Sequence, residues 1–180
     1  MPNTQHDTER LILRRWRDSD RDGYAAMNAD PRVMEFFPSL MTREQSDASA
    51  DRIAALLDNR GFTFWAVEVR GGAPFIGFCG LAPVPPEMSV APAIQIGWRL
   101  AAEHWGHGYA TEAARAALDL GFRKFALHEI VSYTVPSNVR SRHVMDKIGL
   151  HHDVDGDFDY PGVPLGNPMR RHVLYRVARP

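Results

Sequence analysis

Two hydrophobic periods meet between residues 94 and 125, with a glycine-rich turn between them. In the first part the apolar residues recur at every second position, which is the period of a half-buried strand. These residues are Ile94, Ile96, Trp98 and Leu100. In the second part they recur at every third and fourth position, which predicts an amphipathic helix from Ala110 to Phe125.

Upstream of this stretch, the pattern predicts a strand, two helices and a β-hairpin. Residues 1–8 are polar, and we expect them to be frayed. Asp18 or Ser19 is suited to cap the first helix and Thr42 opens a capping box for the second, which Gly61 ends. The predicted elements are a strand at Glu9–Trp16, a helix to about Asn28, a helix from Thr42 to Gly61, and hairpin strands at Phe62–Val69 and Pro74–Leu81.

Downstream, strands and helices continue to alternate. Ala82–Pro92 is rich in proline and is predicted to be a loop. The later elements are a strand at His128–Val135, a helix at Asn138–Ile148 closed by Gly149, a strand at Leu150–Asp159 interrupted by turn residues, and a last strand at Arg170–Val177. This order predicts a mixed α/β fold in one domain that spans residues 1–180.

Composition narrows the class of protein. The chain has 180 residues, enough for one domain with a substantial core. A net charge of −1 argues against nucleic-acid binding, and no apolar run is long enough to cross a membrane. The single cysteine, Cys79, excludes an internal disulfide and favours the cytoplasm. We expect Cys79 to be a small buried apolar residue rather than a nucleophile.

The turn between the strand and the helix is the first chemical feature. Trp105-Gly106-His107-Gly108-Tyr109-Ala110 leads into a helix N-terminus, where free backbone N–H groups and the helix dipole favour a phosphate. A tight turn that binds nothing explains two glycines equally well. The spacing differs from the dinucleotide fingerprint, and no Lys-Ser/Thr pair follows as in a Walker loop.

The run IGWRLAAEHWGHGYATEAARAAL resembles motif A of the GNAT N-acetyltransferases, in the RimJ/RimL-like branch. That motif binds the acetyl-CoA pyrophosphate through R/Q-x-x-G-x-G/A, which falls here on Trp105, Gly108 and Ala110. Trp105 replaces the leading Arg or Gln, so the resemblance implies that backbone amides supply most of the pyrophosphate binding.

The resemblance covers nearly the whole chain. It implies a mixed, mostly antiparallel central sheet with helices on both faces and a splayed pair of strands that holds the cofactor. The pantetheine arm would pair with the backbone at Trp98, Arg99 and Leu100. The cofactor-binding residues implied are Trp98, Arg99, Leu100, Trp105, Gly106, His107, Gly108, Tyr109, Ala110, Thr111, Asn138, Ser141 and Arg142.

A second motif lies in the late helix. A purely structural explanation is available for Asn138 and Ser141, because Asn and Ser cap helices and a spacing of three residues puts both on one side of the helix. The run from Asn138 to Leu150 resembles motif B of the same branch, in which the Asn contacts pantetheine and the Ser lies near the thioester sulfur. Met145 occupies the position where many GNAT enzymes have a tyrosine that acts as the general acid, and a methionine cannot donate a proton. Ser141 and Asn138 are therefore the predicted catalytic residues, with a bound water as the alternative acid.

Residues for the acceptor are less defined. Glu35 and Phe37 lie in the loop that covers the acceptor end of the cleft in the family. Gln95 occupies the position of the usual glutamate base, and an amide cannot act as a base. Glu35 and Glu68 are the alternatives for the base, although no motif places either of them. His151-His152 lacks further ligands at metal spacing, and His172 is interpreted as structural, so no metal is expected.

The resemblance implies an enzyme that transfers an acetyl group from acetyl-CoA to a primary amine by direct attack. A peptide N-terminal α-amine is one acceptor, and an antibiotic or polyamine is another. A non-catalytic acyl-CoA sensor and a nucleotide-binding domain are the alternatives from other classes. We expect a monomer or homodimer without nucleic-acid or membrane partners.

Overall fold

The computed structural model describes residues 5–180, and within them nine strands form one twisted sheet. The strands are β1 (His6–Asp7), β2 (Leu11–Arg14), β3 (Phe64–Val69), β4 (Gly77–Pro83), β5 (Ile94–Leu100), β6 (Glu129–Thr134), β7 (His151–His152), β8 (Phe158–Asp159) and β9 (Arg171–Ala178). The α-helices are α1 (Asp20–Ala29), α2 (Arg43–Arg60), α3 (Tyr109–Asp119) and α4 (Val139–Lys147).

The strand order in the sheet is β1-β2-β3-β4-β5-β6-β9-β7, and β8 pairs with β9. The β5–β6 pair is parallel, and the other pairs described are antiparallel. The expected mixed, mostly antiparallel sheet is confirmed. Because β9 enters next to β6, the end of the chain contributes a wall beside the central strands.

Helices cover both faces of the sheet, as expected. The apolar side of α3 (Ala113, Ala114, Ala117 and Leu118) packs on a core that includes Trp65 and Ile96. On the opposite face, Phe78 of β4 packs against α1 and α2 through Tyr24 and Ile53. The side chains of β5 therefore alternate between a face covered by α3 and a face covered by α1.

The start and end of α2 confirm the expected helix signals. Thr42 Oγ1 accepts from the Gln45 N–H at 3.2 Å, and Gln45 Oε1 accepts from the Thr42 N–H at 2.8 Å. Gly61 ends the helix with φ of +76°, a conformation that favours glycine. Such local signals depend on a few adjacent residues, which is why the sequence predicts them well.

Three expectations need correction. His6 and Asp7 pair with Leu13 and Ile12, so the terminus is ordered before residue 8; residues 1–4 lie outside the described part. The strand expected at Leu150–Asp159 is two short strands, because a 3₁₀ turn at Val154–Gly156 separates them. The helix expected to run to Phe125 changes to a π-helical turn at Leu120–Lys124.

The end of α3 lies very close to the sheet at Gly121. A Cβ on this glycine would lie 2.6 Å from Ile130 Cδ1 of β6 and 3.1 Å from Leu81 Cδ1 of β4. Contacts this short require the neighbouring atoms to move. The absence of a side chain at Gly121 therefore fixes how closely the helix approaches these two strands.

Candidate active site

A cleft opens where β5 and β6 separate. Within residues 5–180 these strands share one bridged pair, Gln95 opposite Val131, and Ser132 Oγ donates to the Ile96 carbonyl at 3.0 Å. Past these contacts β5 continues to Leu100 and β6 to Thr134 without further pairing between them in the described chain. The resulting cleft has a volume of about 820 Å³. The expected splayed strand pair is present.

The glycine loop forms one end of the cleft. Gly106 and Gly108 have φ of +80° and +79°, which L side chains rarely adopt. α3 begins immediately afterwards at Tyr109, and no side chain in the described chain caps it. Its first-turn N–H groups have no partner inside the helix, and the dipole makes this end positive. The loop and helix together suit a phosphate group.

Arg10 braces this loop from the first part of the chain. Its Nε donates to Glu112 Oε2 at 2.7 Å, and its Nη1 donates to the His107 carbonyl at 3.0 Å. Thr8 Oγ1 also donates to Glu112, at 2.6 Å. Partial burial raises the pKa of Glu112, but these hydrogen bonds outweigh it and leave the pKa lowered. Sequence analysis missed this brace, because no local pattern links residues 102 apart.

Trp105 has a structural role in place of the Arg or Gln of the motif. Its Nε1 donates to the Leu100 carbonyl at 2.8 Å and so ties the loop to the end of β5. The guanidinium of Arg140 lies 4.3 Å from the centre of the indole ring. Trp105 therefore occupies the Leu100 carbonyl, and the backbone groups of Trp98 lie on the edge of β5 that β6 leaves unpaired. The backbone groups of Arg99 instead face β4, so the expectation that they pair with the cofactor needs correction.

Asn138 and Ser141 lie at the start of α4, on the cleft. Asn138 caps the helix, since its Oδ1 accepts from the Ser141 N–H at 3.2 Å, and its Nδ2 donates to Thr134 Oγ1 at 3.0 Å. Capping holds the first turn, and with it Ser141, in place. Met145, one turn further on, is only 1% exposed and packs in the core.

The structure brings most of the predicted site residues to the cleft. Those that line it are Phe37, Gln95, Trp98, Arg99, Leu100, Trp105, Gly106, Gly108, Tyr109, Ala110, Thr111, Asn138 and Ser141. Arg142 instead donates to the Tyr175 hydroxyl and the Pro136 carbonyl. The His107 ring stacks on Tyr109, with 5.4 Å between ring centres.

The two carboxylates considered as bases are both engaged elsewhere. Glu35 accepts from Arg140 Nη2 at 2.9 Å. Glu68 accepts from Arg14 Nε at 2.7 Å and from Arg17 Nη1 at 3.1 Å, and Arg14 also bonds to the buried Asp20. Glu68 therefore belongs to an ion-pair network and is not among the residues that line the cleft.

His172 lines the cleft together with Gln95, Tyr133 and Tyr160. Its Nδ1 lies 3.3 Å from the Arg170 carbonyl. A carbonyl can only accept, so Nδ1 carries the proton and Nε2 has the lone pair. Burial lowers the pKa of His172, opposed by this hydrogen bond, and the imidazole is neutral near pH 7. Sequence analysis treated His172 as structural, and only the pairing of β9 with β6 reveals its position.

Arg99 projects from β5 toward α1. Its Nη1 donates to Asn28 Oδ1 at 2.6 Å, and its Cζ lies 4.0 Å from the centre of the Phe37 ring and 5.5 Å from that of Phe78. Its Nε is enclosed and has no hydrogen-bond partner within the described residues. Burial lowers the pKa of Arg99, although the guanidinium stays charged at neutral pH.

The charges on the cleft wall have one sign. Within residues 5–180 the lining contains no Asp or Glu, although it contains Arg99, Arg140 and Lys147. The chain as a whole has a net charge of −1, so this segregation is local. The cleft can hold a large anionic molecule with several phosphates at the loop and a thin chain between the strands.

Comparisons with known proteins agree with this class of site. A model of the acetyltransferase (GNAT) domain matches residues 10–151. YkkB of Bacillus subtilis (strain 168) is 32% identical over 146 residues, which cover 81% of this chain and 84% of YkkB. The FsC-acetyl coenzyme A-N(2)-transacetylase of Aspergillus fumigatus is 29% identical over 181 residues, covering 96% of this chain and 75% of the relative. A GNAT-family acetyltransferase structure from Bacillus anthracis superimposes with a TM-score of 0.80 at 26% identity, covering 97% of this chain and 98% of the other.

Together with these comparisons, the splayed central strands and the glycine loop at a helix N-terminus place the chain among the acyltransferases. The chain belongs to the GNAT acetyltransferase family, and it is an acetyl-CoA-dependent N-acetyltransferase. No helix among the described residues is long and apolar enough to span a membrane. The same residues contain no cluster of three His, Cys, Asp or Glu side chains that could hold a metal ion. Cys79 is fully buried, which raises the pKa of its thiol and keeps it protonated.

Proposed function

We propose that this enzyme acetylates α-amines, either of small molecules or of peptide N-termini, by direct attack on acetyl-CoA in a ternary complex. The observation that supports this choice is the lack of a carboxylate on the cleft wall of the described chain, with Gln95 at the position of the family's glutamate base. The RimJ/RimL-like branch and the cytoplasm remain parts of this proposal. Motif B and the use of acetyl-CoA support them.

The donor would lie along the β5–β6 gap. Backbone N–H groups of the Gly106–Thr111 segment would bind the pyrophosphate, and the pantetheine arm would pair with the backbone of β5 at Trp98. The thioester would then lie near the start of α4. The residues present fit this donor, since the loop is positive, free of side chains at its two glycines, and braced by Arg10.

The reaction needs two proton transfers. The neutral amine attacks the thioester carbonyl, a tetrahedral intermediate forms, and the C–S bond breaks to release the CoA thiolate. Ser141 would give or order the proton that the thiolate receives. We assign His172 Nε2 to take the proton that the nitrogen loses. Positioning of both reactants supplies most of the rate, as expected when the chemistry is a simple addition.

The absence of a strong base in the described cleft selects among amines. An α-amino group has a pKa of about 7.7 to 8.0, against about 10.4 for a lysine side chain. Near pH 7.5 the neutral fractions differ by more than about a hundredfold, roughly 3 kcal/mol. The lowered pKa of His172 makes it a weak base, and it cannot remove this difference.

The test compares two peptides that have the same residues around the amine that is acetylated. One has a free N-terminus and no lysine, and the other is N-terminally blocked and carries an internal lysine. We expect the first to be acetylated about a hundredfold faster near pH 7.5, with the ratio shrinking toward pH 9. Equal rates, or a faster rate on lysine, would contradict the α-amine proposal. Binding of acetyl-CoA with no thiol release for any amine would instead indicate a sensor.

A further inference from the structure

The side chain of Arg99 carries a charge that the described protein does not neutralise. Its hydrogen-bond partner is the neutral amide of Asn28, and its faces contact the rings of Phe37 and Phe78. A partly buried guanidinium without a carboxylate is unfavourable, since burial removes water from the charge and a neutral amide and two aromatic rings offset only part of that cost. Proteins keep such a group where a ligand supplies the counter-charge.

The acidic residues nearest in the chain to Phe37 are paired with other cations. Asp30 bonds to Arg32 at 2.6 Å, and Glu35 bonds to Arg140 at 2.9 Å. The other described residues that line the cleft include no carboxylate. The charge on Arg99 is therefore available to a molecule that enters the cleft.

Arg99 also lies on the face of the sheet opposite to α3. Phe78 pairs with Arg99 across β4 and β5, and Phe78 belongs to the cluster formed with α1 and α2. The apolar side of α3, whose N-terminus follows the glycine loop, packs on the other face. We therefore expect an anion at Arg99 to be separate from the phosphates at the N-terminus of α3.

We propose that Arg99 binds a carboxylate of the acceptor, so that the substrate is an amine that also carries a carboxylate, such as an amino acid or a short peptide with a free C-terminus. This inference rests on the proposed acetylation of α-amines and narrows it. Asn28 holds Nη1 and leaves the edge formed by Nη2 and Nε, the edge that a carboxylate binds with two hydrogen bonds. Because Nε is enclosed, two-point binding requires a shift of the neighbouring Phe37 ring, which is 40% exposed.

The same charge disfavours cationic acceptors. A polyamine in this cleft would place ammonium groups near Arg99 and Lys147, with no carboxylate in the described lining to offset the repulsion, since Glu35 is paired with Arg140. Discrimination of this kind comes from repulsion as much as from the favourable contact with the preferred substrate.

The experiment measures kcat/KM for amino acids and dipeptides, each compared with its C-terminal amide and normalised to the neutral-amine fraction from its titrated pKa. For the wild type we expect the free acids to be preferred by about 10- to 100-fold, as two charge-assisted hydrogen bonds would give. Arg99→Met should abolish this preference while acetyl-CoA affinity stays unchanged. Arg99→Lys, which keeps the charge and loses the planar edge, should retain part of it. Arg43→Gln, which removes an exposed arginine of α2, should retain all of it.

Several results would overturn the inference. If the wild type acetylates free acids and amides at equal rates, the inference about Arg99 is wrong but the proposed function still holds. If no amine causes thiol release, the proposed function itself is wrong. An equal loss on acids and amides in Arg99→Met would show a packing role. Loss of acetyl-CoA binding in that variant would assign Arg99 to the donor. If Arg99→Met does not fold, Arg99→Lys decides, because an unchanged acid preference there would exclude bidentate binding.

Discussion

The end of the cleft that we propose for the donor consists mainly of backbone from one continuous segment. The end that we propose for the acceptor consists of side chains from four separate parts of the chain. The donor end needs the loop at Gly106 and Gly108 and the first turn of α3, which follow one another directly. The acceptor end needs Phe37, Arg99, Tyr133 and His172, which meet only because of the strand order.

This difference fits what the two ends recognise. A pyrophosphate is the same in every acetyl-CoA, and backbone N–H groups bind it whatever the neighbouring side chains are. An acceptor is recognised by charge and shape, which only side chains can provide. We therefore expect substitutions at the donor end to affect all acceptors alike, and substitutions at the acceptor end to change the relative rates among acceptors.

The largest effect should come from Gly108→Val. The change places a β-branched residue at φ of +79° and a Cβ 3.5 Å from Nη2 of Arg10, which braces the loop, so the loop should lose the conformation that presents its N–H groups. The rise in Tm that acetyl-CoA induces should disappear. The enzyme should also lose its activity toward every acceptor. For the wild type that rise is about 5 to 10 °C at a hundredfold excess over Kd. Gly71→Val is the control, since Gly71 has φ of +69° in the β3–β4 turn. A folded Gly108→Val protein that binds acetyl-CoA normally would refute the loop assignment.

Ser141→Ala should lower kcat by about 10²- to 10⁴-fold, the usual range for general acid assistance, with little change in acetyl-CoA affinity. The loss should be equal for every acceptor, because the proton goes to the common leaving thiolate. The measurement is kcat from the rate of thiol release at saturating concentrations of acetyl-CoA and of each acceptor. Ser137→Ala, at the exposed start of the same segment, is the matched control. A change of less than a few-fold would assign the proton to water.

A smaller effect is expected for His172→Gln. We expect a loss of about 10-fold, below the usual range for a general base, because an α-amine is already partly neutral. Since burial lowers the pKa of His172, the acid limb that this residue contributes lies below pH 6.5 and should vanish in the variant. The pH profile of kcat is the measurement, with the exposed His151→Gln as control. An unchanged acid limb would remove His172 from the mechanism.

The same contrast explains what the sequence could and could not predict. Period and capping predicted the strand at Ile94–Leu100, the helix after the glycine loop and the cap at Asn138, since each depends on residues a few positions apart. The brace from Arg10 to Glu112 and the contact of Arg99 with Asn28 join distant parts of the chain. A hydrophobic periodicity cannot predict contacts between residues that are far apart in the sequence. The ion pairs of Glu68 could not be predicted for the same reason, because its partners Arg14 and Arg17 precede it by about 50 positions.

The missing side chain at Gly121 leaves the back of β6 open to a single substitution. Ile130, which meets this glycine, belongs to β6, one of the two strands whose separation forms the cleft. An alanine at Gly121 would press on the ends of the Ile130 and Leu81 side chains from the covered face, and these buried side chains would have to shift. A substitution here would therefore reach a strand of the active site without altering a residue that lines the cleft.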